Sequence, residues 1–219
     1  MGQFERLLEA LAAEPDPHTT VSEPEAAVDT HLADSLSGLS VEGLRRAHRI
    51  ADVGAGVGFP GLALAVAMPR AEVDLIESAG RKTAVATRLI QAADVTNARA
   101  VTARAEEWAG LPPALGGGRE AYDAVTARAL APLAVLVEYA APLLRVGGVL
   151  VAWKGARDAA AEATGARAAE RLRMAARGVE RVVPFEAARD RHLHVFEKVG
   201  ATPEGFPRRP GMARKRPLG

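Results

Sequence analysis

From Arg49 to Lys154 the chain alternates short apolar runs with stretches of helical periodicity, and this order restricts the fold more than any other feature. Strands are expected at 50–53, 73–76, 98–102, 123–126 and 149–153, with helices between them at about 62–68, 81–93 and 133–144. Strand, helix, strand at this spacing gives right-handed crossovers and a parallel sheet covered on both faces. An Ala/Arg-rich helix is expected from Asp158 to about Ala176. Two further strand-like runs, 179–185 and 192–198, lie close enough in sequence to pair antiparallel. The expected fold is α/β: a mostly parallel seven-stranded sheet with a C-terminal antiparallel hairpin. Gly116, Gly117 and Gly118 read as a flexible loop.

The flanks divide the chain into a helical lobe over 1–48, a central domain over 49–200 and a basic tail over 201–219. Phe4, Leu7, Leu8 and Leu11 recur at helical spacing, and Pro15 and Pro17 stop that helix. Ser22 and Glu25 have capping-box spacing around Pro24. Val28, His31, Leu32, Ser35, Leu36 and Leu39 mark one face of the next helix. The net charge of +1 speaks against a wholly basic nucleic-acid binder. The tail nevertheless carries Arg208, Arg209, Arg214, Lys215 and Arg216 against Glu204 alone. Composition by itself reads such a tail as a solvated end. The absence of cysteine excludes a disulfide scaffold, a thiolate metal site and a Cys nucleophile. Residues 1–14 lack a signal-peptide pattern, and the longest uncharged apolar run, 59–69, is too short to span a bilayer, so a cytoplasmic protein is expected.

The strongest local signal is Asp52-Val53-Gly54-Ala55-Gly56-Val57-Gly58-Phe59-Pro60-Gly61, which follows a strand and opens a helix. Glycines let such a turn fold tightly and approach a ligand, and the free amides of the helix start favour an accepting group. The glycines also satisfy the dinucleotide fingerprint, and Glu77 at the end of the second strand suits the ribose of either NAD or S-adenosylmethionine. Three features favour the methyl donor. Asp52 precedes the first glycine by two places, where it would reach the cationic end of the cofactor. Ala105 and Glu106 follow the third strand, where an adenine would lie, and the third feature is the terminal hairpin. His192 and His194 share one side of a strand without a third ligand, so no metal is expected and the pair reads as solvent-facing. Trp108 and Trp153 read as core anchors.

With these pieces in order, the sequence resembles the RsmG (GidB) family of bacterial small-subunit ribosomal RNA guanine-N7 methyltransferases. The resemblance runs from about Thr30 onward. It rests on His31-Leu32-Ala33-Asp34-Ser35-Leu36, the 52–61 turn, Glu77-Ser78-Ala79-Gly80-Arg81-Lys82 and Arg104-Ala105-Glu106-Glu107. Thr126-Ala127-Arg128-Ala129, Trp153-Lys154-Gly155 and Pro207-Arg208-Arg209-Pro210-Gly211-Met212 complete it. It departs from the family in a shorter, different start, in Leu32 where Ile is usual, and in Ala127 where Ser is usual.

The resemblance implies a Rossmann-like class I methyltransferase fold and S-adenosylmethionine as cofactor. The implied product is N7-methylated guanine in the 530 loop (position 527) of 16S ribosomal RNA. It implies cofactor contacts at Gly54, Phe59, Glu77, Ala105, Glu106 and Arg128, beside those read from the turn at Asp52 and Gly56. Arg128, at the end of the fourth strand, would also suit a phosphate or the methionine carboxylate. Lys154, Arg208, Arg209, Lys215 and Arg216 are expected to meet RNA phosphates, with Arg214 beside them. Guanine N7 has a free lone pair, so no general base is expected; His31 and Asp34 are candidates only for lining the substrate side, near Ser35. The expected partner is 16S rRNA or the 30S subunit, with the protein a monomer that needs neither metal nor membrane. Two alternatives stay open on the sequence: an NAD(P)-dependent oxidoreductase, and an inactive rRNA-binding assembly protein.

Overall fold

The computed structural model describes residues 2–19, 21 and 23–219. Amphipathic α1 (Gln3–Ala12) buries Leu7, Leu8 and Leu11. The capping box expected at Ser22 lies outside the described residues. A helical stretch follows in which α2 (Pro24–Ala27), a π-helical turn (Val28–Ala33), α3 (Asp34–Leu36) and a 3-10 turn (Ser37–Ser40) run on without a break. The wide π turn alters the face expected from 3.6-residue spacing: His31 and Leu32 are buried, while Val28 points to solvent. Short α4 (Glu42–Arg45) then leads into the sheet.

The alternating region folds as β1 (Arg49–Val53), α5 (Gly61–Ala67), β2 (Glu72–Glu77), α6 (Gly80–Ala92), β3 (Ala98–Thr102), α7 (Ala105–Trp108), β4 (Tyr122–Arg128), α8 (Leu133–Ala140) and β5 (Leu144–Lys154). Then come α9 (Ala159–Arg171), β6 (Met174–Arg181), β7 (His192–Lys198) and, in the tail, α10 (Met212–Lys215). Among the described residues the sheet has seven strands in the order β3-β2-β1-β4-β5-β7-β6. The first five run parallel, and β7 inserts antiparallel between β5 and β6. That insertion departs from the 3-2-1-4-5-6 order of dinucleotide-binding folds.

Alternation along each strand feeds two cores. Ile50, Leu75, Ala124 and Val151 face α5 and α6 together with Leu62, Leu64 and Leu89. Ala51, Val53, Ile76, Val125 and Leu150 face α8 and α9 with Leu136, Leu143 and Ala168. Burial on both faces explains why these strands read as continuous apolar runs.

Three expected boundaries shift. Helix α8 stops at Ala140 rather than running to residue 144, because Pro142 cannot donate to the helix and restricts the residue before it. The sixth strand is β6 at 174–181 instead of 179–185, and the preceding helix ends at Arg171. As an edge strand, β6 has only one neighbour to satisfy and bulges between Ala176 and Gly178, so its apolar pattern is weak. The Gly116–Gly118 run is a packed turn: a Cβ on Gly117 would stand 2.1 Å from the Leu111 carbonyl oxygen, and one on Gly118 2.3 Å from Trp108.

The tail is not a solvated end. Leu218 is 5% exposed, Arg119 donates to the Phe206 carbonyl, and the Arg208 guanidinium forks onto buried Glu138 at 2.5 and 2.6 Å. Among the described residues no helix is long and apolar enough to cross a membrane.

Candidate functional site

The turn between β1 and α5 is fastened from both sides. Gly54 and Ala55 donate to the Ile76 carbonyl at the end of β2, at 2.8 and 3.2 Å. Gly54 sits at φ +69°, and a Cβ there would stand 2.5 Å from a Leu130 methyl. Asp52 differs from its expected role at the cationic end of a cofactor. Its side chain is fully buried, with Oδ2 accepting the Gly61 N–H at 2.8 Å and Oδ1 the Thr126 hydroxyl at 3.0 Å. It is a brace tying the turn to β4. Burial pushes its carboxyl up to about 6, against the lowering effect of those two hydrogen bonds.

Glu77 projects from the end of β2. It accepts the Gly56 N–H at 3.2 Å and the Ala79 N–H at 2.8 Å, which fixes the carboxylate in place. It lines a cavity of about 290 Å³ with Gly54, Ile76, Ala105, Glu106 and Leu130. Two walls were not foreseen in the sequence: Tyr139 from α8, and Arg214 from the tail, which donates to the Leu130 carbonyl. Glu106 accepts the Gly211 N–H at 2.8 Å, so the tail borders this cavity. Nothing local marks Tyr139 or Leu130; only the tertiary fold brings them to the glycine turn.

Phe59 and Arg128 do not line that cavity. Phe59 is buried and stacks on His31, ring centroids 4.7 Å apart. Arg128 faces a second cavity of about 380 Å³, lined also by His31, Asp34, Trp153, Lys154 and Arg191. It donates to the Thr30 carbonyl and to Asp34 Oδ2, each at 2.9 Å. His31 pairs through Nε2 with the Val21 carbonyl at 2.8 Å, which places Nδ1 opposite an Arg128 N–H at 3.4 Å. Burial holds its imidazole below the usual histidine range. Ser35 points away, donating to the His31 carbonyl one turn back. Lys154 donates to the Ala131 carbonyl, and burial lowers its ammonium pKa.

The two cavities adjoin at the end of β4. Ala129 lines the second and Leu130 the first. Ala129 sits at φ +53°, a conformation that costs a non-glycine residue of order 1 kcal/mol and is often found where a site needs it.

Other expected residues fall elsewhere. His192 and His194 are buried rather than solvent-facing, and His192 Nδ1 lies 2.8 Å from the Gly155 carbonyl. No group of three or more metal-ligating side chains occurs among the described residues. Trp153 is buried and donates to the Asp34 carbonyl, and Trp108 donates to the Tyr122 hydroxyl, each at 2.8 Å. Of the expected RNA contacts, Arg208 is spent on Glu138, while Arg209, Lys215 and Arg216 are exposed.

Comparison with known proteins converges on one family. The model for GidB, rRNA small subunit methyltransferase G, matches residues 3–194. The ribosomal RNA small subunit methyltransferase G of Pelotomaculum thermopropionicum is 40% identical over 192 residues, covering 86% of this chain and 77% of its own. Its counterpart in Rubrobacter xylanophilus is 42% identical over 209 residues, covering 90% and 75%. Among solved structures, cofactor-bound Rv0187 from MTB superposes with a TM-score of 0.56 at 22% identity, over 90% of this chain and 89% of the other. That likeness concerns the fold.

Proposed function

Because the chain belongs to the GidB family, rRNA small subunit methyltransferase G, we propose that it transfers the methyl group of S-adenosylmethionine to N7 of a guanine in the 530 loop of 16S ribosomal RNA. The observation that carries this reading is the pair of adjoining cavities at the carboxyl ends of the parallel strands, parted by Ala129 and Leu130. Ligands of open α/β sheets bind at that edge.

The first cavity suits the cofactor. Glu77, pinned by two backbone amides, presents acceptors to ribose hydroxyls, and Ile76 and Leu130 offer flat apolar cover for an adenine. Gly54 lines this cavity at a positive φ of +69°, with Leu130 packed where a Cβ would stand. S-adenosylmethionine supplies an electrophilic methyl group on a sulfonium. The second cavity, which Arg128 lines, receives the base. Since N7 needs no deprotonation, the chain's task is alignment and exclusion of water rather than base catalysis. Asp52 then acts by bracing the turn. Lys154, Arg209, Lys215 and Arg216 supply charge for RNA phosphates. The protein would act in the cytoplasm as a monomer without a metal, on the 30S subunit or its rRNA.

Calorimetric titration with S-adenosylmethionine tests the first half of this reading. Glu77→Ala is expected to weaken binding roughly tenfold or more, the loss of hydrogen bonds to a charged group. Unchanged affinity in the variant would remove the cofactor from this cavity.

A further inference from the structure

Asp34 is a buried carboxylate with one oxygen unused. Its Oδ2 is held by Arg128 at 2.9 Å. Its Oδ1 is buried and accepts no hydrogen bond among the described residues. Arg191 Nε lies 3.4 Å from it, close enough to pair electrostatically but without the alignment of a hydrogen bond. The side chain is 8% exposed and lines the second cavity, so the missing partner is one that this cavity can receive. Buried polar atoms are nearly always satisfied, and an exception asks for a reason.

The ligand's chemistry follows from what stands there. Asp34 offers only acceptors, Oδ1 free and Oδ2 with a lone pair beyond the one Arg128 uses, so the ligand must bring hydrogen-bond donors, and the adjacent N–H groups of a base edge match two neighbouring oxygens. Arg191, on the same rim, offers only donors; it bonds the Asp190 carbonyl through Nη1 and faces Asp34 through Nε, which leaves further N–H groups for an adjacent acceptor. Two donors beside an acceptor is the edge of guanine that carries N1–H, the 2-amino group and O6. Adenine lacks the 2-amino group and presents an acceptor at N1 and a donor at C6, so the same groups would repel it. Holding guanine by this edge leaves N7, on the far side of the purine, free to face the neighbouring cavity across Ala129 and Leu130.

We propose that Asp34 is the residue that selects guanine, taking N1–H and the 2-amino group while Arg191 donates to O6. This rests on the methyltransferase reading above, and it gives Asp34 a specificity role distinct from chemistry at N7. Arg128 keeps the carboxylate oriented and compensates its charge.

Inosine, which is guanine without the 2-amino group, tests the assignment. The substrates are 30S particles reconstituted with 16S rRNA carrying either guanosine or inosine at the target position, and the readout is kcat/KM for methyl transfer. Unchanged protein is expected to prefer guanosine by roughly tenfold or more, as for a lost hydrogen bond to a carboxylate. In Asp34→Asn the amide oxygen turns to Arg128 and the amide nitrogen faces the base, so activity on guanosine falls and the preference collapses towards one. The intrinsic difference in N7 reactivity cancels between the two proteins. Equal rates on both particles by the unchanged protein would overturn the assignment, and that comparison needs no variant. A variant that is slower but keeps the full preference would also overturn it, as a merely structural role for Asp34. Failure of the unchanged protein on both particles would overturn the methyltransferase reading itself.

Discussion

Asp52 shows how one residue carries the glycine turn. Its two oxygens join Gly61, on the helix side of the turn, to Thr126 on β4, and Gly61 approaches it so closely that a Cβ would stand 2.9 Å from Oδ2. The cost is a carboxyl whose pKa rises from 3.8 to about 6 on folding. The folded state therefore binds the extra proton between these values, and stability falls as pH rises through that window, by an amount on the order of 3 kcal/mol. Asp52→Asn is expected to flatten the dependence of urea-unfolding free energy on pH between 4 and 6; an unaltered slope would place the titration elsewhere. Gly54→Ala is expected to lose about 1–2 kcal/mol of stability and most cofactor affinity, because it combines a positive φ of +69° with contact against Leu130. Full affinity in that variant, by calorimetry, would mean that the turn tolerates the strain and does not meet the ligand.

Among elements, the C-terminal segment matters most for the site. Glu138 on α8 is 3% exposed, and Arg208 is its charged partner. Removing one member of a buried pair leaves an uncompensated charge, a loss of roughly 3–5 kcal/mol. Arg208→Met should therefore destabilise by about that amount, and Arg208→Met with Glu138→Gln should recover most of it; a double variant as unstable as the single would mean that the pair is not the tail's anchor. Here the sequence was only half legible. The density of cations in 201–219 was plain, but the acidic residues that fix it, Glu106 and Glu138, lie 105 and 70 residues away from their partners. Local composition cannot report such pairings. The same holds for Arg191, which meets Asp34 only because β7 returns beside β5. By contrast, the glycine turn and Glu77 were legible because both rest on short-range rules, backbone freedom and the end of an apolar run. The π-helical turn over Val28–Ala33 escaped notice because its spacing imitates an ordinary helix.

At the scale of the whole molecule, the sheet does the positioning. Five parallel strands end together along one edge, and their loops build two cavities that share a wall. Apolar runs at regular spacing made this architecture readable, since a two-sided core leaves its mark on every strand. Which loop faces which cavity was not readable, because it depends on packing across the sheet: of the expected cofactor contacts, Arg128 lines the second cavity and Phe59 stacks on His31, while Glu77 lines the first. On the proposed function, these two cavities align a methyl donor with a guanine. Its most direct test is incubation of the protein with labelled S-adenosylmethionine and 30S subunits lacking N7 methylation, followed by primer-extension mapping. Label is expected at a single guanine of the 530 loop. Cofactor binding without transfer to that guanine would contradict it.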